Sequence, residues 1–90
     1  MMNTKLKIEL KLKENFNISD MILIDESHKH KNHKKDTAGG HFKLLIVSDD
    51  FKNIPLIKRH RLIYTVLDKM IKVEIHALSI KAVTIKEYNN

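Results

Sequence analysis

Thr4-Lys5-Leu6-Lys7-Ile8-Glu9-Leu10-Lys11-Leu12-Lys13-Glu14-Asn15-Phe16 can be read in two ways, and its reading decides the fold. Leu6, Ile8, Leu10 and Leu12 alternate with lysines and a glutamate, the period of two that marks a half-buried strand. Ile8, Leu12 and Phe16 recur instead at i, i+4 and i+8, and Leu, Lys and Glu all favour helix. Alternation alone favours the strand.

Downstream the pattern is clearer. Met21-Ile22-Leu23-Ile24 is a short apolar run behind Ser19-Asp20 and reads as a buried strand. Residues 25 to 40 are polar, show no apolar period and hold both glycines of the chain. They predict a long mobile loop over about 27–40, and compact domains rarely carry such a loop without a functional reason. His41-Phe42-Lys43-Leu44-Leu45-Ile46-Val47 is a second strand, so the two strands make a hairpin with a large tip. Ser48-Asp49-Asp50 offers capping side chains, and Pro55 suits a helix's first turn. Leu56, His60, Ile63, Leu67 and Met70 then repeat at helical spacing, flanked by Ile57, Tyr64 and Ile71, which predicts a helix over 55–71. Glu74 to Ile85 alternates and is rich in β-branched residues, so it predicts a third strand followed by a short tail.

Composition limits the possible roles. At 90 residues the chain lies far below the roughly 250 at which cores divide, so a single domain over 1–90 is expected. The longest apolar runs are four residues, whereas a membrane-spanning helix needs about 20. The N-terminus also lacks the apolar stretch of a secretory signal. With no cysteine at all, the chain has no disulfide, no thiol nucleophile and no thiolate ligand, and the expected compartment is the cytoplasm. The net charge of +6 favours nucleic acid only weakly, because just two of the 17 basic residues, Arg59 and Arg61, are arginine, the residue that pairs with phosphates and bases in a bidentate way.

Six histidines in so short a chain are the main chemical signal. His28, His30 and His33 fall in the polar loop. Imidazole is a ready metal ligand, yet spacing alone reads as simply as a solvated loop, and a closed zinc site takes four ligands on firm supports. His76 opens the third strand, where a lone histidine is most simply a hydrogen-bonded packing residue. His60, between Arg59 and Arg61, is assigned a structural role on the helix face. Arg59, Arg61 and Lys58 could touch phosphate. No nucleophile–base arrangement and no phosphate-binding glycine loop is present, so the chain reads as a non-enzyme.

Taken together the pieces are more specific. Asp25-Glu26-Ser27-His28-x-His30, His41-Phe42-Lys43, Val47-Ser48, Phe51, Arg59-His60-Arg61-Leu62-Ile63-Tyr64 and His76-Ala77-Leu78 occur in one order and spacing. This closely resembles the BolA family, over about residues 5 to 88. The resemblance implies an α/β (α+β) fold of the class II KH type, α-β-β-α-α-β, with a three-stranded sheet covered by helices on one face. It places a helix at 4–16, against the alternation, and divides the later helix into a short turn near 54–58 and a main helix over 59–71.

The resemblance also implies a function. BolA-like proteins pair with monothiol glutaredoxins of the CGFS type and share a 2Fe-2S cluster with them, the other iron being held by the glutaredoxin cysteine and glutathione. In the branch with a loop histidine, the ligands match His30 and His76, with His28 or His33 as substitutes. The implied states are a monomer when isolated and a heterodimer with the glutaredoxin. The other implied reading is a DNA- or RNA-binding transcription regulator, active in morphology or stress response, that uses Arg59, Arg61 and Lys58. Against that reading, no GxxG clamp is present. Two departures from the family pattern are a longer, lysine-rich segment between His30 and His41 without the usual proline, and Tyr88 where an indole is common.

Overall fold

The structure, a computed structural model, describes residues 2–27 and 40–90. The loop expected over 27–40, except for its two ends, lies outside the described residues, and so do His28, His30 and His33.

Thr4–Asn15 is a helix, α1. The Asn3 side chain caps it by accepting from the Leu6 N–H. Ile8 and Leu12 are fully buried, whereas Leu6 and Leu10 are each 41% exposed. The alternating set is therefore split between two environments, and the i, i+4 set faces the core. Phe16 ends the helix and packs against Phe51, with ring centres 5.4 Å apart.

Three strands follow: β1 (Asp20–Asp25), β2 (Gly40–Val47) and β3 (Ile75–Val83). The sheet order is β1-β2-β3. β1 runs antiparallel to β2, with Leu23 opposite Leu44, and β3 runs parallel to β2, with Ile80 opposite Leu44. A parallel neighbour requires a crossover, and α2 (Leu56–Val66) supplies it. One face of the sheet is covered. Leu23, Phe42, Leu44, Ile46 and Ala82 are buried against Ile8, Leu12, Ile63 and Leu67 from the helices. Ile22 and Ile24, on the opposite face, stay 47% and 45% exposed. Among the described residues no helix is long and apolar enough to cross a membrane.

The middle of the chain departs from expectation in detail. The short element preceding α2 is a 3-10 turn at Asp49–Phe51, not a turn at 54–58. α2 begins at Leu56 and ends at Val66, short of residue 71. Leu67 and Met70 still point inward, but the chain must reverse to enter β3. It does so in turns where the Met70 carbonyl accepts from the N–H groups of Val73, Glu74 and Ile75 and Lys72 takes φ 68. β3 stops at Val83, and Ile85–Asn89 forms a third helix, α3. Thr84 caps α3 by a reciprocal pair with Glu87, which ends the alternation before Ile85. The implied order thus holds, with the 3-10 turn in place of the first middle helix and α3 added at the end.

Arg59 is the polar centre of this arrangement. Only 5% exposed, its guanidinium donates to the carbonyls of Ile54 (2.7 Å) and Ala82 (3.0 Å). It also donates to both carboxylate oxygens of Glu87, at 2.7 and 3.1 Å. The Arg59 hydrogen bond, then that of the Thr84 N–H, holds the Glu87 carboxyl down at about 2 from the ordinary 4.5. Ser48, also buried, donates to the Asn17 carbonyl and accepts from the Asp50 N–H.

Two outcomes follow from this centre. Arg59→Ala leaves the Ile54 and Ala82 carbonyls without their donor, so chemical denaturation should show a loss of at least about 2 kcal/mol. Glu87 binds its proton less readily when folded, so its contribution to stability is complete above pH 4.5 and fades as pH falls toward 2. The gap in melting temperature between the wild type and Glu87→Gln should therefore be widest above pH 4.5 and close on acidification. A gap that stays constant would contradict the assignment.

Candidate functional site

The register of β2 and β3 builds the site. Gly40 lies opposite Ile75 but His41 lies opposite Ala77. His76 is thus an extra residue on β3, and such bulges redirect side chains. Ile75 just before it is buried and anchors the strand, while His76 itself is exposed. Its ring centre stands 4.9 Å from that of half-buried His41, with the planes at 46°.

The hairpin mouth is tied to this same corner. Ser27 and Gly40 are the residues that flank 28–39. The Ser27 hydroxyl accepts from the His41 N–H at 3.1 Å, and the Asp25 carboxylate accepts from the Ser27 N–H at 2.9 Å. Glu26 N–H donates to the His41 carbonyl at 2.7 Å, and Gly40 N–H donates to the Glu74 carbonyl at 2.8 Å. A Cβ on Gly40 would fall 2.7 Å from the Phe42 ring and 2.8 Å from Ser27 Oγ, so any larger residue there would have to displace those side chains. The start of β3 is held from the other side by Lys7, whose ammonium pairs with Glu74 at 2.8 Å.

The other predicted site residues separate. Arg59 is committed to the interior, so its guanidinium is not offered to a phosphate. Lys58 and Arg61 are exposed and line a shallow depression with Asn53, Ile54, Pro55, Leu62 and Thr65. His60, expected as a structural residue of the apolar face, is exposed instead. The face was assigned one residue out of phase at its start. Leu56 is 64% exposed, and the inward row begins at Arg59 and continues through Ile63, Leu67 and Met70. A charge at the head of an apolar row was the available signal. His41 was also missed as a neighbour of His76, because only the parallel register and its bulge bring the two together.

Among the described residues no group of three or more His, Cys, Asp or Glu side chains is arranged to hold a metal ion. The imidazoles described at this corner are those of His41 and His76.

Comparison with known proteins agrees with this architecture. The family model described as BolA-like protein matches residues 12–87. A DNA-binding transcriptional regulator BolA from Haemophilus influenzae is 38% identical, over 90% of this chain and 77% of its own length. Among solved structures, BolA1 from Arabidopsis thaliana superposes with a TM-score of 0.83 at 32% identity, covering 97% of this chain and 98% of that one. The BolA domain of SufE1 from the same plant also gives 0.83, at 39% identity and the same coverage. A sheet of this order and register, with matching sequence along nearly its whole length, makes this chain a member of the BolA-like family.

Proposed function

We propose that this chain is an adaptor in iron–sulfur trafficking that binds a monothiol glutaredoxin and shares a 2Fe-2S cluster with it. One observation carries the reading: His76 is exposed at a bulge, on the strand end beside the mouth of the histidine-bearing loop. His76 and His30 would hold one iron, with His28 or His33 as substitutes. His30 is three residues from Ser27 in the sequence. The donor set fits the group. The chain has no cysteine, so it supplies imidazole only, and the thiolates must come from the glutaredoxin and glutathione. Bound this way, the cluster would have a higher potential than an all-thiolate one.

The chain's own residues act by positioning. Buried Ile75 fixes the backbone before His76, and the hydrogen bonds of Ser27, Glu26 and Gly40 close the loop's base beside it. No bond of a substrate is broken, so the protein acts by binding and not as an enzyme. It is a monomer alone and a heterodimer with the glutaredoxin, in a reducing compartment such as the cytoplasm.

A second reading, a DNA-binding regulator, is favoured by the name of the Haemophilus influenzae relative and by exposed Lys58 and Arg61. With Arg59 turned inward, a single arginine remains for base contacts. Binding to duplex DNA should therefore be weak, steeply salt-dependent and nearly blind to sequence. Tight binding to one sequence at physiological salt, lost on Arg61→Ala, would reverse the ranking.

The cluster reading is tested by mixing the chain anaerobically with a monothiol glutaredoxin, glutathione, iron and sulfide and recording the visible spectrum. His76→Ala should abolish the mixed-cluster spectrum. His30→Ala should weaken or alter it less, and the triple His28→Ala, His30→Ala, His33→Ala variant should match the loss at His76. His60→Ala should change neither the spectrum nor the melting temperature appreciably. A wild-type spectrum from His76→Ala would sink the assignment.

A further inference from the structure

The hairpin strands are apolar on both faces, and the helices cover only one. Met21-Ile22-Leu23-Ile24 and Leu44-Leu45-Ile46-Val47 run without a polar residue, the composition of strands covered from both sides. Leu23, Leu44 and Ile46 meet the helices. Ile22 and Ile24 stay exposed, and Leu45 is half-buried outside that core.

The register sets the outward residues in two rows. Ile22 lies opposite Leu45, and Leu45 opposite Lys81. In the next row Ile24 lies opposite Lys43, and Lys43 opposite Ser79. The face therefore has an apolar flank toward β1 and a cationic flank toward β3. Lys43 and Lys81 are exposed, and among the described residues no carboxylate pairs with either. Three strands span about 10 Å, the width of one α-helix with its side chains.

Charge decides what fits. Residues 28–39 carry four lysines against one aspartate, and a second copy would bring the same lysines on a chain of net charge +6, so both are repelled. The two rows hold no aromatic residue. They lack a platform for stacked bases and the Trp or Tyr anchors of a lipid interface. A helix with an apolar stripe beside a row of carboxylates satisfies both flanks at once.

We propose that this open sheet face docks an acidic amphipathic helix of a protein partner, its apolar stripe on Ile22, Ile24 and Leu45 and its carboxylates on Lys43 and Lys81. The surface does not depend on the cluster reading, whose failure shows in the mixed-cluster spectrum and leaves the following titration unchanged.

The probe is a synthetic helical peptide of about 18 residues, with leucines at i, i+4 and i+7 and glutamates along one flank, titrated into the full isotope-labelled chain. Amide shift changes should concentrate at Ile22, Ile24, Lys43, Leu45, Ser79 and Lys81. The double variant Ile22→Thr, Ile24→Thr keeps the β-branched shape of a strand residue and should weaken binding by roughly tenfold or more. Lys43→Glu with Lys81→Glu should do the same, and a peptide with lysine in place of glutamate should bind that variant but not the wild type. Lys58→Glu with Arg61→Glu should leave the affinity unchanged. Circular dichroism should show that each variant folds. Four results would each overturn the proposal: no shifts on titration, shifts centred on Lys58 and Arg61, concentration-dependent shifts of the same face without peptide, or binding to phosphatidylserine vesicles that the Ile22→Thr, Ile24→Thr variant loses.

Discussion

The guanidinium of Arg59 joins four segments that no apolar contact could join in the same way: the loop carbonyl of Ile54, α2 itself, the Ala82 carbonyl near the end of β3, and Glu87 in α3. Burying a charge is costly unless it is paired and fully hydrogen-bonded. Here the donors meet two carbonyls and both oxygens of one carboxylate, while Glu87 keeps a 46% exposed side chain and so loses little of its own hydration. The pair thereby specifies geometry at modest desolvation cost. With Arg59 inward, α2 must present Ile63 to the sheet. With Ala82 held, β3 is fixed lengthwise, and Ser48 N–H donates to the Val83 carbonyl at the same end.

That lengthwise constraint reaches the other end of the strand. The β2–β3 pairing is regular from His41–Ala77 through Val47–Val83, and the one irregularity falls between Gly40 and His41. An extra residue is absorbed at the open end, not the clamped one, so it is His76 that bulges. The guanidinium of buried Arg59, on the Ala82 carbonyl, and exposed His76 thus sit at opposite ends of one strand.

Legibility in the sequence followed the range of the interactions involved. The strands of the hairpin and the crossover helix were readable from local period. α1 was not, because Leu6 and Leu10 mimic a strand and only docking of Ile8 and Leu12 decides between two sound local patterns. α3 carried a local sign, Thr84-x-x-Glu87, the reciprocal cap of a helix start, which the apolar residue after it obscured by extending the strand alternation. The phase of α2 depended on a charged residue being interior, which inverts the usual rule for arginine. Of the candidate ligands, His76 stood out through its neighbours Ala77 and Leu78. The approach of His41 could not be read, since it depends on register between strands more than thirty residues apart in sequence.

The donor inventory at this corner bears on what such a chain can do alone. Imidazole is a neutral donor, and a neutral pair leaves the whole charge of a divalent ion in place, whereas thiolates cancel it. With no cysteine in the chain, any thiolate on a metal bound at this corner would have to come from another molecule. Geometry adds the exposed end of β3, where the bulge leaves His76 at the surface.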